Sequence, residues 1–406
     1  MNSLIENLIV MLNNLRLNKI LTPAILLVSL VSLFTDVASE MLYPVMPVFL
    51  QSIGFSVLLI GILEGLAEMV AGLSKGYFGQ LSDRLQQRVP FIRTGYALSA
   101  ISKPMMALLT WPWWIFVART TDRLGKGVRT SARDALLSDE TTKEHKGTVF
   151  GFHRAMDTLG AAIGPMFALA WLWFNPGNYK ALFLFAFIPG VIAVVLTFLL
   201  KENRMPSQVI PEKTPGLLSY LGYWKRAGVQ YRLITGGLFA FTLLNSSDAF
   251  LLLSVKSKGF SDNQMIICYI FYNLVYALLA YPMGRLGDRI GLKRVILIGL
   301  AIFSIVYAGF GVANTKWHFI ILFFLYALYA ASSEGIAKAW ISNQCKKEET
   351  ATALGFFNSL SSFFAFAASS IGGFIWYQYG PKVMFLFSSL GVGLVIIYLL
   401  LVLRKN

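Results

Sequence analysis

The sequence predicts an all-α integral membrane protein: twelve transmembrane helices in two pseudo-symmetric six-helix halves, with both termini in the cytoplasm. Three observations carry that expectation. Of the 406 residues, 56% are hydrophobic and 14% charged, against about 25% charged in an ordinary soluble protein. That is too little charge to coat the domains a soluble chain of this length would form. Apolar runs of about 20 residues, the length that crosses a bilayer core of about 30 Å, recur from end to end. Lys and Arg gather in alternate connections between those runs. A water-soluble enzyme, a disordered chain and a disulfide scaffold are all poor fits. The two cysteines, Cys268 and Cys345, lie in or beside apolar segments and cannot make a framework.

Residues 1–19 place Leu4, Leu8, Met11, Leu12 and Leu15 on one helical stripe. Glu6 within the stretch and the lack of a small-residue cleavage site favour an interfacial helix over a signal peptide. The apolar runs then fall at 22–48, 57–80, 91–110, 113–138, 147–173 and 179–200, and again at 233–255, 263–284, 293–313, 317–342, 351–377 and 381–403. Helices 4, 5 and 10 carry charges and have the weakest hydropathy support. Trp111, Trp113 and Trp114 read as an aromatic belt at one interface. The longest connection, 201–231, holds Pro206, Pro211 and Pro215 and reads as a linker between halves at 20–200 and 232–406.

One set of connections is rich in cations: Arg16 and Lys19, Arg84 and Arg88, Lys143 and Lys146, the 201–231 linker, Arg289 to Arg294, Lys346 and Lys347, and Arg404 and Lys405. The alternate set holds only Lys180, Lys256, Lys258, Lys316 and Lys382. The positive-inside rule places the rich set in the cytoplasm, across the cytoplasmic (inner) membrane. The net charge of +15 is therefore mostly topological, and no basic soluble domain exists to bind nucleic acid.

The halves repeat. Gly79–Arg84 and Gly284–Arg289 both read GxLxDR, 205 residues apart, and Gly54-Phe55-Ser56 matches Gly259-Phe260-Ser261 at the same offset. Gly151-Phe152 matches Gly355-Phe356 at offset 204. Duplicated halves with a site between them are a transporter architecture. These motifs resemble the major facilitator superfamily over nearly the full chain. Gly79–Arg88 is similar to its loop 2–3 motif, and Gly284–Arg294 to the repeat of that motif. Pro44–Pro47 resembles the PvxP motif of twelve-helix drug–proton antiporters, and Gly160–Pro165 part of their GxxxGP motif. Arg123–Gly127 resembles an RxxxG motif whose arginine is associated with proton coupling, with Lys126 in place of the commoner glutamine. Asp122–Arg133 with Asp157 also resembles a bacterial subgroup that includes drug and siderophore transporters.

The resemblance implies a close approach of helices 2 and 11 at Gly79. It also implies a gate in which Asp83 pairs with Arg84 or Arg88, and Asp288 with Arg289 or Arg294. Gly284 takes the place of Gly79 in the second half. A charge cluster that only fixes topology is the alternative.

Charges at membrane depth are costly, by about 2.5–3.5 kcal/mol each on insertion scales, and so are candidates for function. Asp36 and Glu40 lie one turn apart on helix 1, and Glu64 and Glu68 repeat that spacing on helix 2. Helix 3 carries Lys103; helix 4 carries Arg119, Arg123, Lys126 and Arg133; helix 5 carries His153, Arg154 and Asp157; helix 10 carries Glu334 and Lys338. Lys75 reads as snorkelling to the interface. At offset 205, Asp36, Glu40, Glu64 and Glu68 map to Phe241, Asn245, Tyr269 and Asn273, so the second half offers an aromatic and amide wall. That wall is expected to include Asn245, Asp248, Tyr272, Asn273 and Tyr276.

In the fold the resemblance implies, helices 1, 4, 7 and 10 line the cavity. Asp36, Glu40, Arg119, Arg123, Lys126, Asp248 and Glu334 are then its leading candidates, with Lys103, Glu64 and Glu68 serving the site or pairing with one another. Asp36 or Glu40 with Arg123 is the expected proton switch. A carboxylate held in a low-dielectric cavity responds to the distance of the nearest cation. Arg119, Asp122 and Arg123 could instead be structural ion pairs locking helix 4 to helices 1 and 5. Arg133, Arg154 and Asp157 read as a gate or structural network near the cytoplasmic end.

The expected activity is proton-coupled movement of a small anionic or polar organic solute by alternating access, with export favoured. Uptake of a polycarboxylate metabolite or siderophore, and export of lipophilic drugs, are the alternatives. No HExxH or GxxxxGK[ST] is present, and Gly72–Gly76, which reads GxSxG, lies within an apolar run, so enzymatic or ATP-driven chemistry has no support. No cofactor or metal is expected, His153 lacking the partners a metal needs. A monomer among membrane lipids is expected, with protons and one small-molecule substrate as partners.

Overall fold

The computed structural model describes residues 20–402 apart from 44, 203–215 and 261. The predicted interfacial segment 1–19 and the prolines of the predicted linker lie outside the described residues, as does Pro44 of the PvxP motif. All regular structure among the described residues is helical. In chain order the long helices are α1 (Pro23–Glu40), α2 (Val57–Leu85), α3 (Val89–Leu108), α4 (Pro112–Asp139), α5 (Lys146–Phe174) and α6 (Tyr179–Thr197). They continue as α7 (Val229–Leu244), α8 (Asp262–Ile290), α9 (Leu292–Phe310), α10 (Lys316–Ser342), α11 (Thr350–Tyr379) and α12 (Pro381–Val402). Local chemistry sets several starts. The side chains of Thr22, Ser56, Asn178 and Thr315 accept from Ile25, Leu59, Ala181 and His318 N–H groups, satisfying first-turn donors.

Two predicted spans are broken. Helix 1 stops at Glu40 and resumes as Met46–Ser52, and helix 7 stops at Leu244 and resumes as Ala249–Ser257. The GxLxDR motifs lie inside α2 and α8, not in loops, because charges beyond the apolar zone do not interrupt a helix until a breaker arrives. That breaker is Gln86 after α2, at φ 52°, and Gly291 after α8, at φ 99°. These positions are 205 apart, as are Gly54 and Gly259, and the remaining positive-φ residues among those described, Gly177 and Gly380, are 203 apart. The duplication is thus written in the backbone.

Among the described residues, nine segments are long and apolar enough to cross a membrane. α2, α3 and α4 are not among them, whereas α5 and α10 are, so only one of the three helices expected to be weak proves so. Charge and polarity in α2 and α3 outweigh the apolar residues that suggested them.

Packing repeats with a period of six helices. α1 packs on α5 and α6, α2 on α4, and α3 on α4 and α6; α7 packs on α11 and α12, α8 on α10, and α9 on α10 and α12. The two sets meet through α5 on α8 and α2 on α11. Glycine permits both crossings. A Cβ on Gly79 would collide with Ala351 O, one on Gly284 with Gly147 O, and one on Gly355 would lie 2.6 Å from Lys75 O. The apolar core of the second set is one continuous cluster rich in Phe and Tyr. That of the first set is split into two clusters by a charged layer.

The bonds that join the two sets among the described residues concentrate toward the cation-rich end. Asp83 accepts from Ala351 N (3.2 Å), Thr352 N (2.5 Å) and Thr352 Oγ1 (2.6 Å) at the start of α11. Asp288 accepts from Gly147 N (2.8 Å) and Thr148 N (2.7 Å) at the start of α5. Lys146 Nζ donates to Ser342 O at 2.9 Å. Cys345 sits half-buried beside this closure, its Sγ 3.5 Å from Ser342 O. Burial pushes its thiol up to about 11. At pH 8 its thiolate is therefore about a hundredfold scarcer than for an unshifted thiol. In a Cys268→Ser background, maleimide is expected to label Cys345 slowly, and faster in any state that opens this end. Labelling at the rate of a free thiol would contradict the closed arrangement.

Candidate functional site

A cavity of about 320 Å³ lies where the two six-helix sets meet. α1 contributes Asp36 and Glu40, α4 Lys126, Arg129, Thr130 and Arg133, and α5 Arg154, Asp157, Thr158 and Ala161. α8 adds Tyr269, Tyr272, Asn273 and Tyr276, and α10 adds Glu334 and Lys338. Asp248, in the break after α7, and Lys75 and Asn358, on α2 and α11, complete the wall. α2, α5, α8 and α11 thus join the four helices expected to line it.

Asp36 owes its place to the partial GxxxGP motif. A Cβ on Gly160 would lie 2.7 Å from Leu33 O and 2.9 Å from Asp36 Cβ, and one on Gly164 would lie 2.7 Å from Met41 N. The missing side chains let α5 press α1 so that Asp36 and Glu40 reach the cavity. Among the described residues, the side chains of Asp36, Glu40 and Lys126 make no hydrogen bond or ion pair.

Arg119, Arg123, Glu64, Glu68, Lys103 and Asn245 do not line this cavity, contrary to expectation. Arg119 grips Glu64 with two bonds, Nε to Oε1 at 2.6 Å and Nη2 to Oε2 at 2.9 Å, and lies 3.6 Å from Asp122. Arg123 pairs with Glu68 at 3.1 Å and Glu64 at 3.7 Å, not with Asp36 or Glu40. Lys103 Nζ pairs with Asp122 at 2.7 Å and donates to Ser39 Oγ at 3.2 Å. These pairs lock α4 to α2 and α3, not to α1 and α5. The physical reason is the rotation of α4: its upper turns face α2 and α3, and the cationic stripe reaches the cavity only from Lys126 onward. Asn245 is turned into the second set, its Nδ2 donating to Tyr329 Oη at 3.2 Å.

Lys103 is 1% exposed, so its role as structural glue is testable. Lys103→Met strips Asp122 of its closest cation and is expected to cost about 3–5 kcal/mol. Adding Asp122→Leu should recover most of the lost thermal stability in detergent. A double variant as unstable as the single would argue for a role beyond the pair.

At the cavity floor the charges are bound across the interface. Asp134, fully buried, receives Arg133 at 3.0 Å and Lys338 of α10 at 2.8 Å. Arg154 pairs with Glu334 and donates to Tyr276 Oη at 2.7 Å. Asp157 lies 4.0 Å from both Arg133 and Arg154, and 3.6 Å from His153 Nε2. Asp248 accepts from Tyr326 Oη at 2.6 Å. No cluster of three metal-ligating side chains exists among the described residues.

Of the expected gate pairs, the one between Asp83 and Arg88 forms, and those of Asp288 do not among the described residues. Asp83 pairs with Arg88 at 2.6 Å, and Arg88 also reaches Asp139 at 3.4 Å. Arg84 is exposed at the end of α2. Asp288 has no ion pair with Arg289 or Arg294 among the described residues; its bonds go to the first turn of α5, as those of Asp83 go to α11. Helix N-termini are partners common to both aspartates, being donors at a positive dipole end. Lys75 also departs from the snorkelling expectation: α2 carries it to the cavity wall, where Nζ donates to Ser362 Oγ at 3.0 Å. Lys75, Arg129, Thr130, Thr158, Ala161, Lys338 and Asn358 line the cavity and were left out of the binding set by sequence reasoning. Depth on Lys75 and Lys338 was the available signal.

The family model described as Major Facilitator Superfamily matches residues 28–271 and 249–406. An uncharacterised MFS-type transporter of Methanocaldococcus jannaschii is 31% identical over 375 residues, which cover 91% of this chain and 92% of that one. The multi-drug resistance efflux pump PmrA of Streptococcus pneumoniae is 23% identical over 288 residues, 67% of this chain and 69% of the pump. The crystal structure of the human organic anion transporter MFSD10 superposes with a TM-score of 0.78 at 17% identity, covering 93% of this chain and 98% of that chain. At that identity the likeness is one of fold.

Proposed function

The chain belongs to the major facilitator superfamily and is a multi-pass membrane transporter, and on that premise we propose that it couples protons to the movement of a small anionic or polar organic solute. All twelve long helices cross the cytoplasmic membrane in this reading. The halves 20–200 and 232–406, the 201–231 linker and both termini take the orientation that the cation-rich end facing the cytoplasm requires. The structure is then the state closed to the cytoplasm, and one monomer suffices for the cycle.

The observation that carries the reading is the set of three unpartnered charges, Asp36, Glu40 and Lys126, on the wall of a cavity between the halves. The other cavity carboxylates lie within reach of arginines or a tyrosine hydroxyl. Asp36 and Glu40 are therefore the groups able to gain and lose a proton as the movement of the halves opens and closes the cavity they share with Lys126. Lys126 takes the place expected for Arg123. Export against an inward proton gradient is the direction favoured, because the Gly160–Pro165 motif packs behind Asp36 and because an efflux pump is among the similar proteins.

The tyrosine stripe on α8 supports a second reading, export of lipophilic drugs. Reconstituted protein in vesicles with an imposed pH gradient separates the two. Concentrative flux of an organic anion that collapses with a protonophore is the expected result. Flux that survives the protonophore would remove proton coupling, and competition by lipophilic cations alone would favour the drug reading.

A further inference from the structure

Among the described residues, two lysines on the cavity wall are held by no carboxylate. α2 and α4 touch where Gly127 faces Ser74 and Ala71, and Ser131 Oγ donates to Lys75 O at 2.8 Å. That crossing brings the neighbouring residues Lys75 and Lys126 to one wall. Lys75 has only the hydroxyl of Ser362 as partner, at 3.0 Å, and Lys126 has none among the described residues. The other cations of the wall are engaged: Arg133 and Lys338 by Asp134, Arg154 by Glu334, and Arg129 by Ser99 and the Tyr96 ring. Like charges sharing a water-poor wall repel, and a group with two anionic oxygens relieves both.

Across from them α8 presents tyrosines at 269, 272 and 276, with ring centroids 6.4 Å and 5.9 Å apart in sequence order. Tyr276 is covered by the Arg154 guanidinium, 5.2 Å above its ring. Tyr272 also packs against Tyr326, centroids 5.2 Å apart, and with Tyr269 gives the cavity its aromatic lining, which favours a flat partner. The volume of about 320 Å³ sits at the small end of the roughly 300–1,000 Å³ usual for ligand pockets. Asp36 and Glu40 share the wall with Lys126, so a second acid group on the ligand would meet their negative charge.

We propose that the cargo is a compact aryl monocarboxylate, its carboxylate between Lys75 and Lys126 and its ring against Tyr269 and Tyr272. This rests on the cavity being the transport site. Calorimetric binding to the purified full chain tests it with 2-naphthoate, its saturated decahydro analogue, 2,6-naphthalenedicarboxylate and 2-naphthylmethylammonium. 2-Naphthoate should bind tightest, and the saturated analogue about three- to tenfold more weakly. Lys126→Ala should weaken 2-naphthoate about tenfold or more, Lys75→Ala should do likewise, and Lys126→Arg should restore binding.

Equal or tighter binding of the ammonium or dicarboxylate probe overturns the proposal. So does an unchanged affinity in folded Lys126→Ala and Lys75→Ala variants, or no binding of 2-naphthoate at all. Proton-driven flux in vesicles keeps the two readings apart. Naphthoate binding without such flux leaves the site standing and removes the transport reading; proton-driven flux of another solute without naphthoate binding does the reverse.

Discussion

Replacing Asp36 with Asn and Glu40 with Gln together is expected to lower proton-driven transport by on the order of 100-fold while leaving counterflow exchange within a few-fold of the parent. The two carboxylates stand one turn apart on α1 and share the cavity wall with Lys126. No arginine clamps either of them, in contrast to Glu64 and Glu68, whose cations lie on α4. Neutral side chains of the same shape keep the cavity and its packing against Gly160 and Gly164, so binding and the conformational cycle continue. What they remove is the group that changes charge between the two halves of the cycle. The measurement compares concentrative uptake under a pH gradient with exchange of labelled solute at equilibrium. Loss of both activities would mean that the pair serves binding or folding. Retention of full proton-driven transport would remove both residues from coupling.

Asp83→Ala is expected to shift the protein strongly toward opening at the cation-rich end, and Asp288→Ala to do so much less. The two aspartates are equivalent by the repeat, and both accept backbone N–H donors from the first turn of a facing helix. They differ in their cations. Arg88 lies 2.6 Å from Asp83, with side chains only 9% and 6% exposed, whereas no ion pair reaches Asp288 among the described residues. Removing Asp83 leaves Arg88 buried with only the more distant Asp139, a loss of about 3–5 kcal/mol from the closed state. Removing Asp288 leaves two backbone donors to find water, about 1–3 kcal/mol. The maleimide rate at Cys345 reads the difference, and rates at two pH values separate opening from a local change in the thiol. A response to Asp288→Ala as large as that to Asp83→Ala would show that the arginine adds nothing to the latch.

The fold was largely legible because its signals are local. Apolar runs, alternating cation counts and the 205-residue repeat each need only the chain itself, and the paired positive-φ positions bear the repeat out. The helix breaks after Glu40 and Leu244 were missed although Pro44 and Pro47, and the polar stretch Asn245–Asp248, mark them, because the spans were read on hydropathy alone. The site was legible in composition and not in partnership. Depth singled out Asp36, Glu40 and Lys126 along with Arg119, Arg123 and Lys103, and depth does not say which way a helix is rotated. The bond from Asp83 to Thr352 joins residues 269 apart, and no spacing rule reaches that far. Lys75 was misread for the same reason: a long side chain near a helix end snorkels by default, and only the packing of α2 on α4 and α11 turns it inward.

The charged layer that splits the core of the first half bears on how the chain is made. Glu64 and Glu68 on α2 find their cations on α4, and Lys103 on α3 finds its carboxylate on α4. Each of these three helices, alone in lipid, would carry naked charge, and none reaches the apolar threshold that its neighbours meet. Their counter-ions are one another. The expected consequence is that α2, α3 and α4 enter a bilayer as one unit, whereas the helices of the second half are apolar enough to enter one at a time.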